Sequence, residues 1–144
     1  MKKAIIFLIF MFSFCGFCFS QAENNVNITV EINNIVADGG KVYLVVFFTG
    51  ESFKKEKPDL AVEIPSDKPS VIKEGSLPRG ECVLFVFQDA NNNVKLDCGL
   101  FGIPKEKFGI SNYFGKGFPT RNFDKQKIMI DENTGKIVLG LYKL

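Results

Sequence analysis

Val26, Ile28, Val30 and Ile32 alternate with Asn27, Thr29, Glu31 and Asn33. A period of two predicts a strand with one buried face. Ala37-Asp38-Gly39-Gly40 is a turn signal, because Asp-Gly and Gly-Gly readily take positive φ. Lys41 to Phe48 follows, dense in β-branched and aromatic residues, and the two runs together predict a β-hairpin. Glu51 to Pro58 is charged and reads as a surface loop with room for one helical turn. Leu60–Ile64 and Ser70–Lys73 read as short strands, and Pro65 and Pro69 beside them place both at sheet edges. Leu77-Pro78-Arg79-Gly80 reads as a turn. Glu81 to Gln88 is apolar almost without alternation, which fits a central strand covered on both faces. Lys127–Ile130 and Lys136–Tyr142 are the last two strands, with a second hairpin expected through residues 131–135. About seven short strands and no long amphipathic helix predict an all-β fold, an antiparallel β-sandwich.

The first residues have a different pattern. Lys2 and Lys3 precede an apolar run from Ala4 to Phe19 that ends in small residues, the form of a cleaved signal peptide over residues 1–20. Cleavage after Ala22 fits as well. The run is short for a bilayer span, which takes about 20 apolar residues, and no other segment is a candidate. The chain is therefore expected to be exported, to the periplasm or the extracellular space, with a single domain over residues 21–144. Removing residues 1–20 takes away two lysines and leaves 16 basic against 16 acidic residues. A neutral chain lacks the basic footprint of a nucleic-acid binder. Histidine is absent from all 144 residues. That excludes Ser-His-Asp and Cys-His catalysis, histidine-containing zinc sites and histidine switches.

One polar segment carries candidate chemistry. Asp89-Ala90-Asn91-Asn92-Asn93-Val94-Lys95-Leu96-Asp97 sets oxygen-bearing side chains at positions 1, 3, 5 and 9. Lys95, at position 7, offers a backbone carbonyl. Calcium takes about 6–8 oxygen ligands, and loops with ligands at alternate positions wrap around it. Position 6 is Val94 rather than glycine and position 12 is Leu100 rather than glutamate, so this is not a complete EF-hand loop. The plain alternative is a turn, since Asn and Asp favour turns by bonding to their own backbone.

The run Gln88–Asp97, followed by Gly102-Ile103-Pro104-Lys105-Glu106 and Phe108-Gly109-Ile110-Ser111-Asn112, resembles DUF2141, a bacterial family of uncharacterised secreted proteins. Leu77–Glu81 and Gly40-Lys41-Val42-Tyr43 are similar to that family's turn and second strand. The resemblance implies an extracytoplasmic β-sandwich of immunoglobulin or prealbumin type and no established activity. It marks Asp89, Asn91, Asn93, Asp97, Glu106, Ser111 and Asn112 as motif positions. The family usually has histidine at the place of Gln88, and favours glycine around Asn92 and Val94.

Residues 105–123 hold Phe108, Tyr113, Phe114 and Phe118 among glycines. They form either an aromatic surface for a glycan, peptide or lipid, or rings that pin a long loop. Cys82 and Cys98 share an oxidising compartment, so a disulfide is one option. A strand over 81–88 separates Cys82 from Gln88 by about 20 Å, so pairing requires the loop to fold back, and free thiols are the alternative. The expected function is a binding or structural module rather than an enzyme, with a calcium-stiffened loop as its one cofactor site and a glycan or an envelope protein as partner. Its rivals are a small hydrolase using Asp89, Asp97 and Glu106, and an assembly partner that pairs through an edge strand.

Overall fold

The computed structural model describes residues 24–144, and the expected signal peptide lies outside the described residues. The strands are β1 (Asn25–Asn33), β2 (Lys41–Phe47), β3 (Leu60–Ile64), β4 (Ser70–Pro78), β5 (Gly80–Asp89), β6 (Phe108–Ile110), β7 (Ile128–Ile130) and β8 (Lys136–Gly140). Two short helices, α1 (Gly50–Lys54) and α2 (Phe123–Gln126), and a 3-10 turn at Leu100–Gly102 lie between them. The strands form a 3-stranded sheet, β4-β1-β8, and a 5-stranded sheet, β3-β2-β5-β6, with β7 paired to the first residues of β5.

Period-two patterning builds the core. Ile28, Val30 and Ile32 of β1 meet Val42, Leu44 and Val46 of β2 and Cys82, Leu84 and Val86 of β5 in one buried cluster. The intervening residues of β2 and β5 face the other way. Tyr43, Val45, Phe47, Val83 and Phe87 form a second cluster with Phe108, Ile110 and Tyr113. Phe53 of α1 and Phe123 of α2 pack against it. This layer explains why the run from Glu81 to Gln88 lacks alternation: β5 is covered on both faces. The edge positions of β3 and β4 agree with their flanking prolines.

Pairing departs from expectation in three places. β1 and β2 do not form a hairpin; β1 lies between β4 and β8, and β2 between β3 and β5. Residues 34–40 cross from one sheet to the other, held by Ile35 N–H to Pro69 O (3.1 Å) and Asp38 N–H to Ser66 O (2.7 Å). β7 and β8 likewise lie in different sheets, so residues 131–135 also form a crossing. That crossing brings β8 back parallel to β1, with Thr29 opposite Lys136 and Asn33 opposite Gly140, so the smaller sheet is mixed rather than antiparallel. Turn residues encode a reversal of direction; apolar side chains on both strands then determine which sheet each one joins.

The disulfide alternative is not realised. Cys82 is free and buried near the start of β5, and Cys98 is free and exposed beyond its end. The seven residues from Cys82 to Asp89 span about 24 Å of strand. Burial pushes the Cys82 thiol up to about 11. A raised thiol pKa stabilises the fold fully below pH 9, and that contribution is lost as pH rises from about 9 to 11. Alkylation mapped by mass spectrometry at neutral pH is expected to modify Cys98 in the native protein and Cys82 only after unfolding.

Candidate functional site

β5 ends at Asp89, opposite Lys41 of β2, and the Asp/Asn loop begins there. Asp89 is completely buried. Its Oδ1 accepts the Asn93 N–H (3.1 Å) and its Oδ2 the Val94 N–H (2.7 Å). Asn91 Oδ1 shares the Asn93 N–H at 3.2 Å. Asn91 Nδ2 donates to Asp97 Oδ2 (2.5 Å), and Asn93 Nδ2 donates to both Asp97 oxygens (3.0 and 3.1 Å). The loop therefore gathers Asp89, Asn91, Asn93 and Asp97, as their alternate spacing predicts. The Lys95 N–H donates to Asn93 Oδ1 (2.9 Å), closing the next turn.

Glu106 completes the cluster from outside the loop. Its Oε1 accepts the Ala90 N–H (2.8 Å) and its Oε2 the Asp97 N–H (3.1 Å), so one carboxylate clamps both ends. The motif signalled its presence but not this role. Among the described residues no lysine or arginine forms an ion pair with Asp89, Asp97 or Glu106. Lys41, the nearest cation along the ladder, is paired with Glu63 at 2.8 Å. No three His, Cys, Asp or Glu side chains converge in metal-holding geometry among the described residues; the donors that meet here are two aspartates and two amides.

The loop curls through left-handed backbone at Asn92 (φ 57°) and Val94 (φ 61°). Left-handed backbone costs a β-branched residue roughly 1–2 kcal/mol, and a glycine much less. The glycine that the resemblance implies around these positions would take this backbone without that cost. Val94 is 63% exposed, so little packing offsets its strain. Val94→Gly is expected to raise the melting temperature by about 2–5 °C, read by thermal unfolding.

The other motif positions serve the scaffold. The buried Gln88 amide bonds both ways to Val36, accepting from its N–H (2.9 Å) and donating to its carbonyl (2.7 Å), and so ties the 34–40 crossing to β5. Ser111 Oγ accepts the Leu84 N–H (3.2 Å) and donates to Gln126 O (2.5 Å). Asn112 Nδ2 donates to Lys127 O (2.9 Å). Of the aromatic set, Phe108 and Tyr113 are buried and stacked (5.9 Å between ring centres, 8° between planes), which is pinning. Phe114 and Phe118 are exposed, at 77% and 70%.

Tyr113 and Phe114 also border an open cavity of about 520 Å³ beside β8, together with Tyr142, Asn33, Asn34 and Val138. Tyr142 stands edge-on to Tyr113 at 5.6 Å. The lining holds no carboxylate. Sequence reasoning did not find Tyr142, which only the parallel placement of β8 brings to this place, nor Gly40. At Gly40 φ is +96° and a Cβ would stand 2.0 Å from Asp89 O, so only glycine lets the crossing pass the root of the loop.

The family model for an uncharacterised protein conserved in bacteria, DUF2141, matches residues 30–138 and so spans the whole Asp/Asn loop with Glu106, Ser111 and Asn112. Comparisons with curated proteins and with solved structures returned no match. By the extent of that match, the chain belongs to the DUF2141 family of bacterial proteins.

Proposed function

We propose that this protein is an exported β-sandwich module of immunoglobulin or prealbumin type, with a weak calcium site at residues 89–97 that stiffens one end of the 5-stranded sheet. The observation that carries this reading is the convergence of Asn91 and Asn93 on Asp97, at 2.5–3.1 Å, beside buried carboxylates that form no ion pair among the described residues. Buried charge is costly unless it is paired or coordinates a metal. An ionised carboxylate has about four lone-pair sites, so Asp89 keeps acceptor capacity beyond its two backbone bonds. Asn91 Oδ1 and Asn93 Oδ1 each accept one backbone N–H and keep a second lone pair, which a small rotation of the amide would turn toward a cation. Four side chains and the Lys95 carbonyl would then supply five oxygens, with water completing the six to eight that calcium takes. An all-oxygen set suits a hard cation. Two charged ligands place the dissociation constant at about 10⁻⁴ to 10⁻³ M, the range of extracellular modules.

Thermal melting with added calcium tests the site. At ten times the dissociation constant the expected rise is roughly 3–7 °C. No rise, or an equal rise in Asp97→Asn, would contradict the reading. The export half rests on residues 1–20 and is tested by N-terminal sequencing of the protein recovered outside the cytoplasm. The rings and amides around the cavity support a second reading, of what the module holds. We infer a glycan, whose apolar faces would stack on Tyr142 and Phe114 while its hydroxyls meet Asn33 and Asn34. A glycan array tests it: binding by the wild type that is lost in Tyr142→Ala supports this, and no binding contradicts it.

A further inference from the structure

Leu100 and Phe101 stand almost entirely in solvent, 83% and 97% exposed. They form the tip of a narrow projection just beyond the Asp/Asn loop. Its stem is closed by Gly99 N–H to Ile103 O (2.7 Å) and by the pairing of Cys98 with Pro104. Its base is tied to the loop by Lys105 N–H to Asp97 O (2.8 Å). Phe101 lies in left-handed backbone, φ 62°, with its ring packed on nothing. Two adjacent bulky apolar residues held outward on a closed stem contribute no core packing. Such exposure marks a binding surface.

Charge around the tip indicates the partner. The Lys105 side chain lies 3.3 Å from the Cβ position of Gly99, and the Arg121 guanidinium 4.0 Å from that of Gly102, so a cation flanks each side of Leu100-Phe101. Asp97 and Glu106, the neighbouring acids along the chain, are engaged by amides and backbone N–H groups within the loop, and Arg121 pairs loosely with Glu56 at 3.6 Å in full solvent, a contact that a phosphate can replace. A specific protein interface needs about 800 Å² on each side, far more than two side chains offer. A bilayer surface asks only for apolar groups at the acyl boundary with basic groups at the phosphates.

We propose that the Leu100-Phe101 tip docks this protein onto an anionic lipid surface, with Lys105 and Arg121 meeting the phosphates. The docking does not depend on calcium at the neighbouring loop. No described helix is long and apolar enough to cross a membrane.

The chain has no tryptophan, so one introduced at the tip reports from there alone. Phe101→Trp is mixed with vesicles rich in phosphatidylglycerol and, separately, with phosphatidylcholine vesicles; Ile72→Trp, on exposed β4, is the control. The expected result is a blue shift for Phe101→Trp on the anionic vesicles only, none for Ile72→Trp, and a partition roughly tenfold or more weaker when Leu100→Asn is added. Lipid contact by any other part of the chain leaves this pattern unformed. An unchanged emission, an equal shift in the control, or an equal shift on neutral vesicles overturns the proposal. A blue shift that grows with protein concentration in the absence of vesicles assigns the tip to a second copy and overturns it as well.

Discussion

Asp89→Ala should lower stability by roughly 3–5 kcal/mol and remove any response to calcium. The side chain is fully buried and accepts the N–H groups of Asn93 and Val94. Hydrogen bonds to a charged group contribute roughly 1.5–3 kcal/mol each, and truncation takes the acceptor from the Val94 N–H, leaves the Asn93 N–H with Asn91 Oδ1 alone and empties a fully buried site. For a domain of about 120 residues this lowers the melting temperature by roughly 10–20 °C. Asp89→Asn retains the shape and one acceptor oxygen, so it should lose about half as much. Chemical denaturation with an unchanged m-value reads both. A loss below about 1 kcal/mol for Asp89→Ala would show that the loop does not depend on this carboxylate.

Gly40→Ala is the second large effect, expected to exceed about 3 kcal/mol. The added methyl would sit 2.0 Å from Asp89 O and 2.7 Å from Ala90 Cα, both backbone atoms that cannot move aside cheaply. The φ of +96° is strained for alanine in any case. Gly75→Ala on edge strand β4 is the control, because nothing lies within 4 Å of its Cβ position. Equal melting temperatures for the two variants would contradict the close packing of the crossing against the loop. The same clash displaces Asp89, so Gly40→Ala should also weaken calcium binding although residue 40 supplies no ligand.

Strand positions were legible because burial on a pleated sheet imposes period two. Leu60–Ile64 agrees to the residue, and the unbroken run of β5 correctly signalled cover on both faces. Pairing was not legible. Asp38-Gly39-Gly40 looks the same whether the chain returns beside β1 or crosses to the other sheet. Ile35, buried within the 34–40 crossing, was the available hint. β6 escaped because its three residues, Phe108–Ile110, include a glycine and sit in a glycine- and aromatic-rich stretch, whereas β7, equally short, is an unbroken Ile-Met-Ile run. In the loop, residue types and spacing were sufficient to gather Asp89, Asn91, Asn93 and Asp97. The clamp by Glu106 and the clearance at Gly40 arise from residues distant in sequence, and only the fold brings them together. The Leu100-Phe101 tip was hidden for a different reason: an apolar pair in a sequence normally means burial, and here it means exposure.

Calorimetric titration of calcium into wild-type protein and Asp97→Asn reads occupancy of the 89–97 loop itself. Asp97 is half-exposed and its carboxylate accepts only from amide side chains, so its substitution should leave the fold intact. One calcium per wild-type chain is expected, with a dissociation constant of about 10⁻⁴ to 10⁻³ M and tenfold or greater weakening in Asp97→Asn. No binding at millimolar calcium, or equal binding by the two proteins, would contradict it.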